Sequence, residues 1–150
     1  MDHIDKQILF YLQNRARISM TELGKSVGLS QPAVTERVKR MEEKGVIEEY
    51  RTVISPEKIG KHAAAYILFR TRDCLAFLDF VHASPHVAEC HRISGEHSYL
   101  LKVVTESTRT LEEFSNQCDK YGTYTVLIVM SSPIDHSLLI HSLKEANGFD

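Results

Sequence analysis

Apolar residues in the first third of the chain recur at the spacing of a helix. Ile4, Ile8, Leu9 and Leu12 fall on one stripe and predict a helix over residues 2–13. Asn14-Arg15-Ala16-Arg17 interrupts it. Ser19-Met20-Thr21-Glu22 has the form of a capping box, in which the hydroxyl and the carboxylate satisfy backbone N–H groups reciprocally. It opens a short helix carrying Leu23 and Val27. Gly28 ends that helix, because glycine enters a left-handed stop without steric penalty. Leu29 follows, then Ser30 as a second N-cap and Pro32 in the first turn, where a missing N–H does no harm. The third helix runs to about Lys44, stops at Gly45 and buries Val34, Val38 and Met41. A helix, a turn through Gly28 and Leu29, and a capped helix is the order of a helix-turn-helix. Residues 46–54, β-branched and aromatic, predict a strand or small wing that packs on the helices.

Beyond the turn chemistry of residues 55–60 the pattern changes. Residues 63–70 predict a strand, and Leu75, Leu78 and Val81 a helix that ends before Ser84-Pro85. Residues 87–93 and 99–104 predict two strands joined by a turn at Gly95. Leu111, Phe114 and Cys118 mark a second helix, and residues 123–130 a fourth strand; residues 137–141 could add a short fifth. Strand-helix-strand occurs twice, the order of a βαββαβ sandwich. Helices covering one sheet face leave the other apolar, so self-association is expected.

The outward face of the third helix carries candidate chemistry. A helix entering the major groove reads bases mainly with its N-terminal residues. Gln31 and Thr35 are the base-edge candidates, since an amide can pair with adenine and a threonine methyl can meet thymine, and Pro32 lies beside them. Lys39, Arg40 and Lys44 suit phosphates, as does the backbone at Ser30. Arg37 borders the apolar face; it either holds a phosphate or braces the helix. Seven basic residues face four acidic ones within residues 15–44, although the whole chain carries a net charge of −2. A local basic face on a mildly acidic protein suits a site-selective binder of double-stranded DNA better than a general coat.

Composition adds exclusions. At 150 residues with 43% hydrophobic content, the chain can build one ordinary domain or two small ones. No apolar run reaches the roughly 18–20 residues of a membrane span. The start Met1-Asp2-His3-Ile4-Asp5 lacks the basic residues of a secretory signal, so no membrane contact and a cytoplasmic location are expected. Cys74, Cys90 and Cys118 are widely spaced and odd in number, which favours free thiols. His82, His86, His91 and His97 cluster near Cys90. Along a regular strand His86 and Cys90 share one face and His91 takes the other, but no finger-like zinc spacing occurs. No paired carboxylates, nucleophile–base pair or phosphate-binding glycine loop suggests catalysis, and no cofactor or metal is expected.

The run Ile4-Asp5…Ile8-Leu9…Leu12…Arg17-Ile18-Ser19…Glu22-Leu23…Gly28-Leu29-Ser30…Val34…Arg37-Val38…Gly45-Val46-Ile47…Tyr50 resembles the leucine-responsive regulatory protein/AsnC family, the feast/famine transcription regulators. The likeness covers the whole chain, more loosely in the second half. It implies an α+β protein with a winged helix-turn-helix over residues 1–50, a linker strand and hinge over 51–61, and a ferredoxin-like βαββαβ regulatory (RAM-type) domain over 62–150. It also implies homo-oligomers, dimers that assemble into octamers, with small effectors such as amino acids bound between subunits. In that family the loop between the second and third strands helps form the effector pocket. Here the loop is Gly95-Glu96-His97-Ser98-Tyr99, with Ser98 where relatives often carry an acid that would pair with an ammonium group. An ordinary hairpin turn beside a shared interface is the alternative. Two further readings stay open: a nucleoid-type protein that wraps DNA with little base preference, and an enzyme like the siroheme decarboxylases, which resemble the same family.

Overall fold

The computed structural model describes residues 1–135 and 137–140. The chain forms two compact units, one of residues 1–52 with described residues beyond Pro133, the other of Val53–Pro133.

The first unit is three helices, α1 (His3–Asn14), α2 (Met20–Val27) and α3 (Gln31–Glu43). Ile8, Leu12, Ile18, Leu23, Val27, Val34, Val38 and Met41 form its core, the stripe that the periodicity predicts. α1 is closed by a capping box between Asp2 and Asp5. At α2 the Ser19 hydroxyl accepts from Glu22 N–H at 3.1 Å, but the Glu22 carboxylate pairs with Arg15 at 2.8 Å. The predicted reciprocal box at Ser19 is therefore half made, because an arginine on the preceding turn competes for the acid. Gly28 takes the left-handed conformation at φ 71°, as a helix stop requires.

The predicted wing strand over residues 46–54 does not form. Among the described residues this segment enters no strand pairing. Its first two N–H groups, of Val46 and Ile47, donate instead to the Met41 carbonyl at 2.9 and 3.2 Å and close α3. β-Propensity supplies an extended chain, but a strand needs a neighbour to bond. Tyr50 turns back and donates its hydroxyl to Glu42 at 2.8 Å; burial and then that carboxylate push its phenol up to about 12. Residues 137–140 are not a strand either, and His141, the last residue of the predicted fifth strand, lies outside the described residues.

The second unit opens with a 3-10 turn at Glu57–Ile59, followed by β1 (Ala63–Thr71), α4 (Cys74–Ala83), β2 (Val87–Arg92), β3 (Tyr99–Thr105), α5 (Thr108–Cys118) and β4 (Gly122–Ile128). All pairings are antiparallel in the order β2-β3-β1-β4, with Ile67 opposite Leu101 on one side and Val126 on the other. This is the ferredoxin-like βαββαβ sandwich. Ala65, Ile67, Phe69, Leu101 and Val103 alternate onto one face and meet Phe77 and Val81 of α4 and Leu111, Phe114 and Cys118 of α5. Phe69 stacks on Phe77 with ring centroids 4.2 Å apart. Tyr66, Leu68, Leu100 and Val104 point to the opposite face and are only half-buried.

The regular alternation expected along the histidine-bearing strand fails. A bulge between Val87 and Glu89 exposes Ala88 and Glu89 in succession, so Val87 and Cys90 turn inward together. Among the described residues no group of three or more His, Cys, Asp or Glu side chains is placed to hold a metal ion.

Candidate nucleic-acid interface

The candidate interface is built on α3 and the turn before it. Ser30 caps α3, its hydroxyl accepting from Ala33 N–H at 3.4 Å, with Pro32 in the first turn. This cap and the left-handed Gly28 leave the first turn of α3 exposed at Gln31, Pro32 and Ala33. The Thr35 hydroxyl donates to the Gln31 carbonyl at 2.8 Å, and the Gln31 amide lies 3.4 Å from the same hydroxyl. The two base-edge candidates thus form one adjacent polar surface, one turn apart.

Further along the same side, Lys39 pairs with Glu43 at 3.7 Å and Arg40 with Glu36 at 3.8 Å. These are loose, solvent-exposed pairs, of a kind worth about 0–1 kcal/mol. A phosphate can displace either acid at little cost. Lys44 is the C-cap residue of α3 and is exposed.

Arg37 lies elsewhere. Its Nη1 donates to Asp2 Oδ2 and Asp5 Oδ1, each at 2.7 Å, and these carboxylates raise its pKa. Of the two readings of this residue, these pairs are the contacts that a brace would make.

Gly24 is a residue the sequence reading missed. It is buried in α2, and a Cβ there would stand 2.7 Å from the Leu29 carbonyl oxygen. The backbone entering α3 therefore lies directly on α2, which is what sets the turn of the motif. A glycine in the middle of an otherwise ordinary helical stripe was the available signal.

In the second unit, the loop from β2 to β3 is tied down at its end. Ser98 N–H donates to the Phe69 carbonyl at 2.8 Å, and Ile93 N–H to the Ser98 carbonyl at 3.0 Å. Gly95 has φ 113°, while Glu96 is exposed and His97 and Ser98 are half-buried. Tyr99 separates from this group: its ring enters the core against Phe77 at 5.1 Å and borders a cleft between α4 and β2 that Leu78, His82, Cys90 and Arg92 also line.

Both units match known families. Residues 1–48 match the winged helix-turn-helix DNA-binding model and residues 65–139 the Lrp/AsnC ligand binding domain. The HTH-type transcriptional regulator YezC of Bacillus subtilis is 48% identical over 136 residues, covering 91% of this chain and 98% of that one. LrpC of the same organism is 34% identical over 137 residues, 90% of this chain and 94% of its own. The solved structure of LrpC superposes with a TM-score of 0.87 at 30% identity, over 91% of this chain and 99% of that chain. The regulator NMB0573 of Neisseria meningitidis, solved as a complex with L-Met, gives 0.84 at 26% identity, over 91% and 94%.

The fold and these matches together define a helix-turn-helix transcription regulator with a ligand-binding domain. The chain belongs to the Lrp/AsnC family. Among the described residues no helix is long and apolar enough to cross a membrane.

Proposed function

We propose that the chain works in the cytoplasm as a dimeric, sequence-selective DNA-binding regulator and not as an enzyme. Residues 1–50 bind the duplex, 51–61 connect, and 62–150 assemble the oligomer and take an effector. Gln31 and Thr35, beside Pro32, read base edges in the major groove. Lys39, Arg40, Lys44 and the backbone at Ser30 hold phosphates. The observation that carries this reading is the division of α3: Val34, Val38 and Met41 are buried, while Gln31, Thr35, Lys39 and Arg40 are exposed. Dimerisation places two such helices in successive major grooves, so the operator is roughly palindromic. The half-buried apolar sheet face of Tyr66, Leu68, Leu100 and Val104 suits a second copy of the chain, and dimers can assemble further into octamers.

For the effector, an amino acid bound near Gly95, Glu96, His97 and Ser98 is the best-supported class, given the ligand-binding domain and the L-Met complex of the Neisseria relative. Ser98 removes a carboxylate from that loop, which leaves Glu96 as the acid able to meet an ammonium group.

The test starts from duplexes selected by the wild-type protein. Replacing Gln31 or Thr35 by Ala should relax base preference by about 1–3 kcal/mol and leave the salt dependence unchanged. Replacing Lys39 or Arg40 should weaken binding to every sequence and reduce the salt slope by about 1 per residue. Identical behaviour of the two pairs refutes the assignment. Scanning the twenty amino acids for a change in melting temperature or oligomer size tests the effector, and silence throughout refutes that part.

A further inference from the structure

Arg37 joins α3 to α1 through a closed set of four hydrogen bonds. Asp5 N–H donates to Asp2 Oδ1 at 2.9 Å and Asp2 N–H to Asp5 Oδ2 at 3.0 Å, which is the capping box of α1. Arg37 Nη1 takes the two remaining oxygens, Asp2 Oδ2 and Asp5 Oδ1, at 2.7 Å each. Both carboxylates thus divide their oxygens between the helix start and one guanidinium, so that each oxygen accepts one hydrogen bond within the set.

We infer that Arg37, Asp2 and Asp5 are positioning residues, which hold the recognition helix at one angle to α1 and so set base discrimination without touching the nucleic acid. The inference rests on the DNA-binding reading above. Three observations support it. The Arg37 side chain is 27% exposed, against 67% for Lys39 and 56% for Arg40, so it is withdrawn from the side that meets a ligand. Two anions already neutralise it, and a phosphate approaching Arg37 would face both Asp2 and Asp5. Finally, Ile8 and Leu12 of α1 share an apolar core with Val34, Val38 and Met41 of α3, and apolar burial is non-directional. It resists separation but not small tilts.

The lever is short but sufficient. Gln31 lies six residues before Arg37, about 9 Å along the helix axis, so a tilt of about 5° shifts it by about 0.8 Å. Hydrogen-bonded recognition tolerates about 0.5 Å. Losing the brace therefore costs discrimination before it costs overall attraction to the duplex.

The experiment compares full-length wild type with Asp5→Asn, Arg37→Met, Arg37→Lys and the double variant Asp5→Asn/Arg37→Met. Affinity is measured over a range of salt for an operator selected by the wild type and for an unrelated duplex of equal length. Arg37→Met and Asp5→Asn should each lower the operator-to-unrelated ratio about tenfold, with the double variant no worse than either. The slope of log affinity against log salt should match wild type in all of them. Arg37→Lys keeps the cation but on a side chain one atom shorter, which withdraws the nitrogen from the two acids, and should lose discrimination with the slope intact.

Two results overturn the inference. One is a slope shallower by about 1 in Arg37→Met, with Asp5→Asn unchanged or tighter, which would make Arg37 a direct phosphate ligand. The other is unchanged discrimination in both single variants. If the wild type binds no duplex at any salt, the DNA-binding reading itself fails, and the brace is judged on urea unfolding. There, losses from Asp5→Asn and Arg37→Met that simply add overturn it, and a double variant no less stable than either single supports it.

Discussion

Alanine at Gly24 should destabilise the first unit even though it improves the helix that contains it. In a helix interior, Gly to Ala is worth about 0.8–1.0 kcal/mol in favour of Ala. Against this, the added Cβ would stand 2.7 Å from the Leu29 carbonyl oxygen, with the Ser30 carbonyl carbon at 3.4 Å and Gln31 nitrogen at 3.5 Å. All three are backbone atoms. Leu29 is itself tethered to α2, its N–H donating to the Gly24 carbonyl at 2.8 Å, so the residue that bears the obstructing oxygen cannot withdraw as a whole. Overpacking of this kind costs about 1–3 kcal/mol, and a backbone obstacle belongs at the upper end. The expected net effect is a loss of about 1–2 kcal/mol, or a fall of about 5–15 °C in the transition of that unit. Urea unfolding followed by circular dichroism measures it, with Lys25→Ala on the exposed side of α2 as a near-neutral control. Because the displaced atoms begin α3, operator affinity should also fall where the variant is fully folded. A Gly24→Ala protein as stable as wild type, with unchanged affinity, would refute the packing argument and leave helix propensity as the governing term.

Other expectations concern both units. Gly122→Ala should cost about 2–3 kcal/mol, since its Cβ would run into the Arg70 carbonyl and stand 2.9 Å from Phe69 Cε1 at the end of the β1–β4 ladder; thermal melting checks this, and a neutral result would mean the ladder end is free to shift. A thiol reagent should modify one cysteine per native chain quickly, the exposed Cys74. Burial pushes the Cys90 thiol up, and burial with the nearby Asp119 pushes Cys118 up to about 12. Mass spectrometry after brief labelling reads the count, and three fast thiols would contradict the burial. The Asp2 carboxyl is held below its usual value, first by the hydrogen bond from Asp5 N–H and then by Arg37. Its stabilisation is therefore fully present above the ordinary aspartate range and lost as the pH falls through the lowered value. Asp2→Asn should flatten the acid side of the stability profile, and an unaltered acid limb would show that the brace contributes nothing there.

The sequence by itself determined the elements whose causes are local. Ser19, Gly28, Ser30 and Pro32 mark helix ends through bonds to their immediate neighbours, and the stripes Ile4-Ile8-Leu12 and Val34-Val38-Met41 specify which faces are buried. For the same reason the exposed side of α3, with Gln31, Thr35, Lys39 and Arg40, was legible before any coordinates. Strand-helix-strand repetition likewise implied the sandwich, because period-two and helical patterns cannot be exchanged. Tertiary structure decided what depends on a distant partner. Residues 46–54 have strand propensity, but among the described residues no strand lies beside them to pair, and no wing ladder forms. Glu22 could cap its own helix or meet Arg15, and the fold brings Arg15 to 2.8 Å. The bulge after Val87 arises in pairing with β3 and leaves no trace in the alternation of residue types. Gly24 looks like a weak helix residue until the Leu29 carbonyl is seen to lie on it. Arg37, 32 residues from Asp5 along the chain, could be read two ways from its angle on α3 alone. Local interactions are written into neighbouring residues, whereas the roles of Gly24 and Arg37 exist only once the folded chain carries a remote carbonyl or carboxylate to them.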